Sequence, residues 1–236
     1  MRPIMALSLV FAVGCISVRD IEDARFEPES FEKVTAYHMR GDLELVGRNT
    51  STAEVVATLW ASGSSRDRAE ARQRRLRWSA EVIEQELIIS SLVPESRSGV
   101  DFYVVTPELV DSYLSLERGD VRFGGVDGFH EVSADAVRGS VGGELLIDAG
   151  QVDLTYYPFD VTATVIDVSG PVTLALPFGP EYDLVVRGNP EEPMTVEDLG
   201  WEDTRLGDGF FSGYRGRGLA RINIFADGPV EIISTR

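Results

Sequence analysis

Apolar and polar residues alternate over short runs along most of this chain. Between Val161 and Val165 the apolar side chains are separated by threonines, and between Val172 and Leu176 every second residue is again Val or Leu. A period of two sends alternate side chains to opposite faces of a β-strand, so each run predicts a strand with one buried face. Comparable runs begin near Val34 and continue to the C-terminus. The pattern therefore predicts an all-β fold.

A short phrase recurs between these runs: a glycine, one polar or turn residue, and then a valine that opens the next strand. In the central region its glycines are Gly119, Gly139, Gly150 and Gly170, separated by 20, 11 and 20 residues. A quasi-regular glycine corner followed by a short strand is typical of chains that coil into stacked rungs. We therefore expect a β-solenoid or β-roll-like stack of short strands, which the last strands, on either side of Gly228, would close.

One segment, roughly residues 65–75, predicts a short α-helix in the N-terminal half. Ser65 is a suitable N-cap, and Glu70 and Arg74 are spaced for an ion pair one turn apart. Six arginines crowd this segment: Arg66, Arg68, Arg72, Arg74, Arg75 and Arg77. They could form a basic patch for an acidic polymer, such as lipopolysaccharide phosphate or exopolysaccharide. We favour the other interpretation, a solvated helix face lying against an acidic protein.

The N-terminus has the pattern of a secretory signal. Arg2 precedes an apolar run that ends at Val13 and is too short to span a bilayer, and Gly14-Cys15 follows directly. This end resembles the lipobox of bacterial lipoproteins, which implies cleavage before Cys15 and lipidation of that cysteine. The alternative is an ordinary signal peptide with a chance cysteine. Because Ile16 is not the aspartate-type signal for inner-membrane retention, we expect a lipid anchor in the outer membrane of a Gram-negative cell envelope.

These patterns divide the chain into a signal peptide, a tether and one β-domain. The tether is acidic, has no usable hydrophobic period and carries few large apolar groups, so we expect it to be irregular. The boundaries are 1–14 for the signal peptide, 15–33 for the tether and 34–236 for the domain. Within the domain, strands and the short helix occupy 34–113 and glycine-cornered repeats occupy 114–236, with a long loop or projecting hairpin inserted over 187–216.

Charge and composition exclude several classes of function. The formal net charge of −17, from 39 acidic and 22 basic residues, disfavours nucleic acid as a partner. Cys15 is the only cysteine and the chain has two histidines, so neither a disulfide framework nor a His/Cys metal cluster is available. We therefore expect no metal and no cofactor.

Aromatic residues in the insertion are the most specific candidates for a binding site. They are Trp201, Phe210, Phe211 and Tyr214. On a loop they could contact a partner protein or a glycan. They could instead cover the open end of the stack, which needs protection from edge-to-edge pairing, and this is the interpretation we favour.

The tripeptide Arg-Gly-Asp, which host integrins recognise, occurs twice, at Arg40-Gly41-Asp42 and at Arg118-Gly119-Asp120. Both copies fall at the glycine of the recurring phrase. Gly-Asp is ordinary turn chemistry, so we interpret both copies as corners of the fold.

The domain resembles the bacterial putative-adhesin families of unknown function, whose members fold as β-solenoids or β-rolls. The resemblance covers about residues 34–236. It is carried by the strand pair around Arg40-Gly41-Asp42-Leu43, the strand–helix–hairpin order over Val55 to Val93, the Gly-x-Val rungs over 114–176, Leu174-Ala-Leu-Pro177, and Gly228-Pro-Val-Glu-Ile232. It implies adhesion as a function and brings no catalytic or binding residues with it.

These observations favour a non-enzymatic lipoprotein of the cell envelope that acts as an adhesin or structural protein, with a membrane, an envelope protein or a glycan as its partners. One alternative is a periplasm-facing binding or regulatory module that senses envelope stress. A polysaccharide hydrolase is a second alternative and would need paired carboxylates, for which Glu108 with Asp111, or Asp153 with Asp160, are the candidates.

Overall fold

The computed structural model describes residues 16–26, 32–159 and 162–235, which form 17 strands and one helix. Cys15, the predicted signal peptide over 1–14 and Asp160 lie outside the described residues. The strands are β1 (Ile16–Phe26), β2 (Lys33–Arg40), β3 (Leu43–Arg48), β4 (Ala53–Gly63), β5 (Arg77–Ile83), β6 (Glu86–Leu92), β7 (Ser98–Pro107), β8 (Asp111–Arg118), β9 (Asp120–Pro158), β10 (Ala163–Val168), β11 (Val172–Pro177), β12 (Tyr182–Gly188), β13 (Met194–Val196), β14 (Glu202–Gly207), β15 (Phe210–Tyr214), β16 (Ala220–Ala226) and β17 (Val230–Thr235), and the helix α1 (Arg66–Gln73) lies between β4 and β5. The prediction of an all-β fold with one short helix is confirmed.

All 17 strands belong to one continuous hydrogen-bonded sheet. Their neighbours form two series that meet in the long strand β9. The front series runs β5, β6, β2, β8, β9, β10, β16, β12, β15, β14. The back series runs β1, β4, β7, β3, β9, β11, β17, β13. The pairings within the middle of both series are parallel, and the antiparallel pairs lie at the ends.

Strands from both ends of the sequence lie inside these series. Strand β2 pairs with both β6 and β8, and β3 pairs with both β7 and β9. In the same way β16 lies between β10 and β12, and β17 between β11 and β13. The expectation that the last strands close the stack is therefore wrong, because β16 and β17 are paired on both sides and the outermost strands at that end, β13 and β14, come from the insertion.

Glycines mark the corners where the chain passes from the front series to the back series. These corners are Gly41, Gly119, Gly150, Gly170 and Gly228. A Cβ on Gly119 would overlap the carbonyl oxygen of Gly41, one on Gly170 would overlap that of Gly150, and one on Gly228 would lie 2.5 Å from the carbonyl carbon of Gly170. Backbone thus stacks directly on backbone, and a side chain has no room.

Of the four glycines predicted as corners in the central region, Gly119, Gly150 and Gly170 lie at corners, and Gly139 belongs to a different place. Its φ is +109°, and a Cβ on it would overlap the carbonyl oxygen of Phe123. Between Gly119 and Gly150 the corner is taken by Asp135, whose N–H donates to the Gly119 carbonyl at 3.0 Å. An aspartate therefore stands where the recurring phrase suggested a glycine.

The core lies between the two series and is made of the inward residues of the alternating runs. Leu43, Phe123, Leu154 and Ile232 are almost fully buried. Tyr156 is also buried, and its hydroxyl donates to the Gly143 carbonyl at 2.7 Å. Burial raises the pKa of Tyr156 to about 12. Each inward aliphatic side chain contributes roughly 1.5–3 kcal/mol through its removal from water.

The prediction of an irregular tether over 15–33 is wrong for Ile16–Phe26, which forms strand β1. It pairs antiparallel with β4 without a bulge, from Ile16 opposite Gly63 to Phe26 opposite Ala53. Most of its side chains are exposed, and Ile21 is 69% exposed. Because main-chain hydrogen bonds to the edge of β4 hold this strand, the sequence carries no hydrophobic period that could reveal it.

The predicted helix is confirmed, and it is capped by Ser65, whose hydroxyl accepts from the Arg68 N–H. Ala69 is its buried residue. Among the described residues, no helix is long and apolar enough to cross a membrane.

Candidate functional site

The front series carries a groove across its outward surface, with a volume of about 500 Å³. We call it the front groove. It crosses β2, β8, two passages of β9, and β10. Its lining is Thr35, Ala36, Tyr37, Tyr113, Leu114, Ser115, Glu131, Val132, Ser133, Leu146, Ile147, Asp148, Val165 and Asp167.

Strand register sets the outward side chains of the groove in rows. Tyr113 lies opposite Glu131, and Ser115 lies opposite Ser133. Further along the series, Val165 lies opposite Leu146 and Asp167 opposite Asp148. Neighbouring strands are about 4.8 Å apart, so each row presents one side chain per strand at that spacing.

The groove is acidic and partly apolar. Glu131, Asp148 and Asp167 are exposed, and none of them forms an ion pair within the described ranges. Beside them Leu146 is 42% exposed and Val165, opposite it, is half-buried. The surface therefore combines unpaired hydrogen-bond acceptors with an apolar patch.

Tyr113 is held in position by its neighbours. The Lys33 ammonium lies 4.2 Å from the centre of its ring, and the Phe129 ring centre is 5.6 Å away. Lys33 also pairs with Glu86 at 3.2 Å, and Glu86 accepts a hydrogen bond from Thr35 that lowers the pKa of its carboxyl. These contacts fix one rim of the groove before any ligand arrives.

The six arginines around α1 do not form one open basic patch. Glu70 pairs with Arg66 at 2.8 Å and with Arg74 at 3.5 Å, so the predicted Glu70–Arg74 pair is confirmed. Glu95 pairs with Arg72 at 2.6 Å and with Arg75 at 2.9 Å.

The remaining two arginines bond to neutral oxygens. Arg68 donates to the Ser64 hydroxyl and Arg77 to the carbonyls of Arg74 and Leu76. These contacts favour a solvated helix face over a polymer site.

The insertion forms a hairpin, β14–β15, that lies along the front series. Strand β15 pairs antiparallel with β12, and β14 pairs with β15. The Trp201 ring packs against those of Tyr182 and Phe211, at centre distances of 6.3 and 5.8 Å. Phe211 is 6% exposed, so it is part of the core and not a ligand contact.

The other two aromatic residues of the insertion are only half-buried. Phe210 lies on the opposite face of β15 from Phe211. Tyr214 sits beside Asp203 and Glu202, whose charges raise the pKa of its hydroxyl. The four aromatics therefore do not form one exposed cluster, and their arrangement matches the covering role.

Of the two candidate carboxylate pairs, the structure describes Glu108, Asp111 and Asp153, each in its own surroundings. Asp111 accepts the Phe129 N–H at 2.8 Å. Glu108 lies near Asp127, whose carboxyl has its pKa raised by burial and then by the Glu108 charge. Asp153 lies on the outward face of the end of β9, and its proposed partner Asp160 is outside the described residues.

A buried serine–histidine pair is a feature that sequence reasoning missed. Ser112 Oγ lies 2.8 Å from His130 Nδ1, and both residues are fully buried. Burial lowers the pKa of His130 to about 4. The pair resembles a nucleophile and its base, but full burial removes it from any substrate. Only the pairing of β8 with β9, which sets Ser112 opposite His130, could have revealed it.

Across residues 16–26, 32–159 and 162–235, no group of three or more His, Cys, Asp or Glu side chains is arranged to hold a metal ion. The groove carboxylates are thus separate acceptors along a row.

Comparisons with other proteins add information about the fold. No protein-family model and no curated protein matches the chain. A solved structure described as a putative adhesin from Bacteroides fragilis NCTC 9343 aligns over 91% of this chain and 97% of its own, with 11% identity. Its TM-score of 0.24 is too low to show a shared fold. A solved structure described as a putative cell adhesion protein from Clostridium sporogenes ATCC 15579 aligns over 93% of this chain and 100% of its own, with 13% identity and a TM-score of 0.50. The chain therefore shares its overall fold with that Clostridium protein.

Proposed function

We propose that this protein is a non-enzymatic, lipid-anchored recognition protein of the bacterial cell envelope that binds a hydroxyl-rich glycan in the front groove. The observation that carries the proposal is the groove itself. It is an open surface about 500 Å³ in volume, on which unpaired carboxylates and serine hydroxyls alternate with exposed apolar side chains. The Clostridium sporogenes protein that shares the fold is described as a putative cell adhesion protein, which agrees with a surface role.

The strand arrangement suits a ligand with a regular repeat. Parallel neighbours and stacked glycine corners support a β-solenoid interpretation, in which each rung repeats the one before it. Equivalent polar groups then recur about every 4.8 Å along the groove. A polymer such as a glycan chain can contact several rungs at once.

The chemistry of the lining matches neutral sugars. Ionised carboxylates accept hydrogen bonds at both oxygens, and the hydroxyls of Ser115 and Ser133 can donate or accept. The C–H faces of a sugar ring can pack on Leu146 and on the Tyr113 ring. An acidic polymer would instead be repelled by Glu131, Asp148 and Asp167.

The anchor belongs to the same proposal. A chain with a net charge of −17 has no electrostatic attraction to anionic lipids, and a covalent lipid would hold it at a membrane independently of charge. Acyl chains on Cys15, at about 0.8 kcal/mol per buried methylene, would supply it. Outer-membrane retention then places the groove at the cell envelope.

A binding measurement tests the groove. We expect full-length protein in detergent to bind members of a panel of neutral oligosaccharides, and the double variant Asp148→Asn with Asp167→Asn to bind the same sugars at least about tenfold more weakly. The matched control is Asp153→Asn, which removes a charge from the back of the molecule. Equal affinity in all three proteins, or no binding by the wild type, would contradict the proposal.

A separate measurement tests the anchor. Cys15→Ser should abolish palmitate labelling and either release the protein from membranes or leave an uncleaved precursor. Unchanged fractionation together with absent labelling in the wild type would show that Cys15 carries no lipid.

A further inference from the structure

Arg40, the last residue of β2, lies between two cavities. The first, which we call the hairpin cavity, has a volume of about 540 Å³ and lies against the β5–β6 hairpin; its lining includes Tyr37, Arg77, Trp78, Ser91 and Glu117. The second, which we call the corner cavity, has a volume of about 370 Å³ and lies at the first glycine corner; its lining includes Arg19, Arg118, Asp42 and Asp101. Arg40 lines both cavities.

Two buried polar atoms at the hairpin cavity lack hydrogen-bond partners in the described part of the chain. They are Arg40 Nε and Ser91 Oγ. Ser91 is only 8% exposed, so solvent does not reach its hydroxyl in place of a partner. Buried polar atoms are nearly always satisfied in folded proteins, and two exceptions on the wall of one cavity indicate a place where a ligand supplies the missing acceptor.

The cations at this corner are also unpaired. Arg40 and Arg118 lie opposite each other in the parallel pair β2–β8. Within residues 16–26, 32–159 and 162–235, neither of them nor Arg19 forms an ion pair. Neighbouring positive charges without counter-ions repel each other. A bound anion would offset that repulsion.

The two carboxylates that line the corner cavity, Asp42 and Asp101, are engaged with other groups. One oxygen of Asp101 accepts from the Trp60 indole N–H at 2.9 Å and from the Asp42 N–H at 3.1 Å. Asp42 in turn accepts the Asp120 N–H at 3.0 Å. These two carboxylates therefore hold the Trp60 indole and the backbone of the corner, and neither forms an ion pair with Arg19, Arg40 or Arg118.

We propose that this corner binds an anionic group carried on a saccharide, with Arg40 as its central contact. A guanidinium presents a planar fork that matches the oxygens of a carboxylate, and it also binds sulfate and phosphate. Arg118 and Arg19 add charge from the corner cavity, and the Ser91 hydroxyl adds a donor from the hairpin cavity. The rings of Trp78 and Tyr37 provide apolar walls for the sugar ring.

This site is independent of the glycan binding proposed for the front groove. It has the opposite charge preference, and its lining shares only Tyr37 with that groove. The failure of either proposal therefore leaves the other standing.

Titration calorimetry of the full-length protein with trigalacturonate tests the site. We expect wild-type binding, a loss of about tenfold or more in Arg40→Gln, and no change in Arg205→Gln, which removes the same charge from the exposed strand β14. Ser91→Ala distinguishes a lost ligand contact from misfolding. It removes a buried hydroxyl that has no hydrogen-bond partner among the described residues, so it should weaken binding and leave stability unchanged. Binding should also fall as salt rises.

Three outcomes would overturn the proposal. They are no wild-type binding of trigalacturonate, sulfate or phosphate; equal losses in Arg40→Gln and Arg205→Gln; and unchanged binding in both Arg40→Gln and Ser91→Ala. Binding of sulfate and phosphate without trigalacturonate would support the anion site and overturn the saccharide assignment. Variants of Asp148 and Asp167 in the front groove should leave trigalacturonate binding intact.

Discussion

The carboxylate of Asp42 accepts the backbone N–H of Asp120 at 3.0 Å and so joins the two Arg-Gly-Asp tripeptides, which are 78 residues apart in sequence. This contact belongs to a series of hydrogen bonds from backbone N–H groups to aspartate carboxylates, which we call the aspartate ladder. Asp101 accepts the Asp42 N–H at 3.1 Å, and Asp135 accepts the Gly119 N–H at 2.9 Å. Aspartates at the glycine corners therefore accept hydrogen bonds from backbone donors of the neighbouring corner. This role explains the tripeptides as corners of the fold without an integrin.

Asp42→Ala should lower the free energy of unfolding by about 1 kcal/mol, because it leaves the Asp120 N–H without its acceptor. Urea denaturation at pH 7 measures the change. Asp153→Ala is the control, since Asp153 is exposed on the back series and should change stability by less than about 0.5 kcal/mol. Equal effects of the two substitutions would show that the ladder contributes nothing.

The sequence was sufficient for most of the strands and for the corners at Gly119, Gly150 and Gly170, and insufficient for the corner at Asp135 and for the order of the strands in space. Alternation at Val172–Leu176 is local and identifies a strand, and backbone contact at Gly119 and Gly170 follows from a residue that only glycine can replace. The insertion of β16 between β10 and β12 depends on pairing across long separations, which no local pattern encodes. Strand β1 was missed for the same reason.

The front groove could not be predicted either. Its side chains come from strands that are distant in sequence, and polar outward residues look alike on every strand until the register brings Asp148 beside Asp167. The aromatic residues of the insertion looked more specific because they are adjacent in sequence. Successive side chains of β15 point to opposite faces, so Phe211 lies in the core and Phe210 is half-buried.

Gly119→Val should destabilise the protein by about 2 kcal/mol or more. The glycine has a φ of +134°, where a side chain is strained, and a Cβ there would overlap the Gly41 carbonyl oxygen. Thr173→Val, on the outward side of β11, is the control and should be nearly neutral. Thermal melting distinguishes them, and limited proteolysis should locate the opened region near β2, β3 and β8. A Gly119→Val protein that melts like the wild type would disprove the stacked-corner description.

His130 should make stability depend on pH between about 6.5 and 4. Its pKa is lowered to about 4 in the folded protein because burial penalises the charged ring, while an unfolded histidine titrates near 6.5. The unfolded state therefore binds a proton first. The histidine's contribution is complete above pH 6.5 and is lost as the pH falls toward 4, by about 3 kcal/mol in total.

Denaturation of the wild type and of His130→Gln at several pH values measures this effect. We expect the difference between their stabilities to shrink as the pH falls from 6.5 to 4. A difference that stays constant over that range would show that His130 titrates alike in the folded and unfolded chains.

Arg72→Gln should cost about 1–2 kcal/mol, and Arg68→Gln less than about 0.5 kcal/mol. Both arginines lie on α1, but Arg72 pairs with Glu95 at 2.6 Å in a half-buried site and also donates to the Ser62 carbonyl. Arg68 contacts only the exposed Ser64 hydroxyl and its N–H is capped by Ser65. Chemical denaturation of the two single variants makes the comparison. Equal losses in the free energy of unfolding would show that the contacts of Arg72 with Glu95 and Ser62 do not stabilise the protein.

Phe211→Ala and Phe210→Ala, substitutions at adjacent positions of β15, should separate the covering role of the insertion from a binding role. Phe211 is 6% exposed and contacts the Trp201 ring, so its truncation should cost about 3 kcal/mol and loosen the β14–β15 hairpin. Phe210 lies on the other face of the strand, and its loss should cost about 1 kcal/mol or less. Melting curves give the two costs, and protease cleavage within 187–216 reports the hairpin. If neither substitution changes stability while Phe210→Ala abolishes attachment to envelope preparations, the insertion binds a partner, and the end of the front series must be protected by other means.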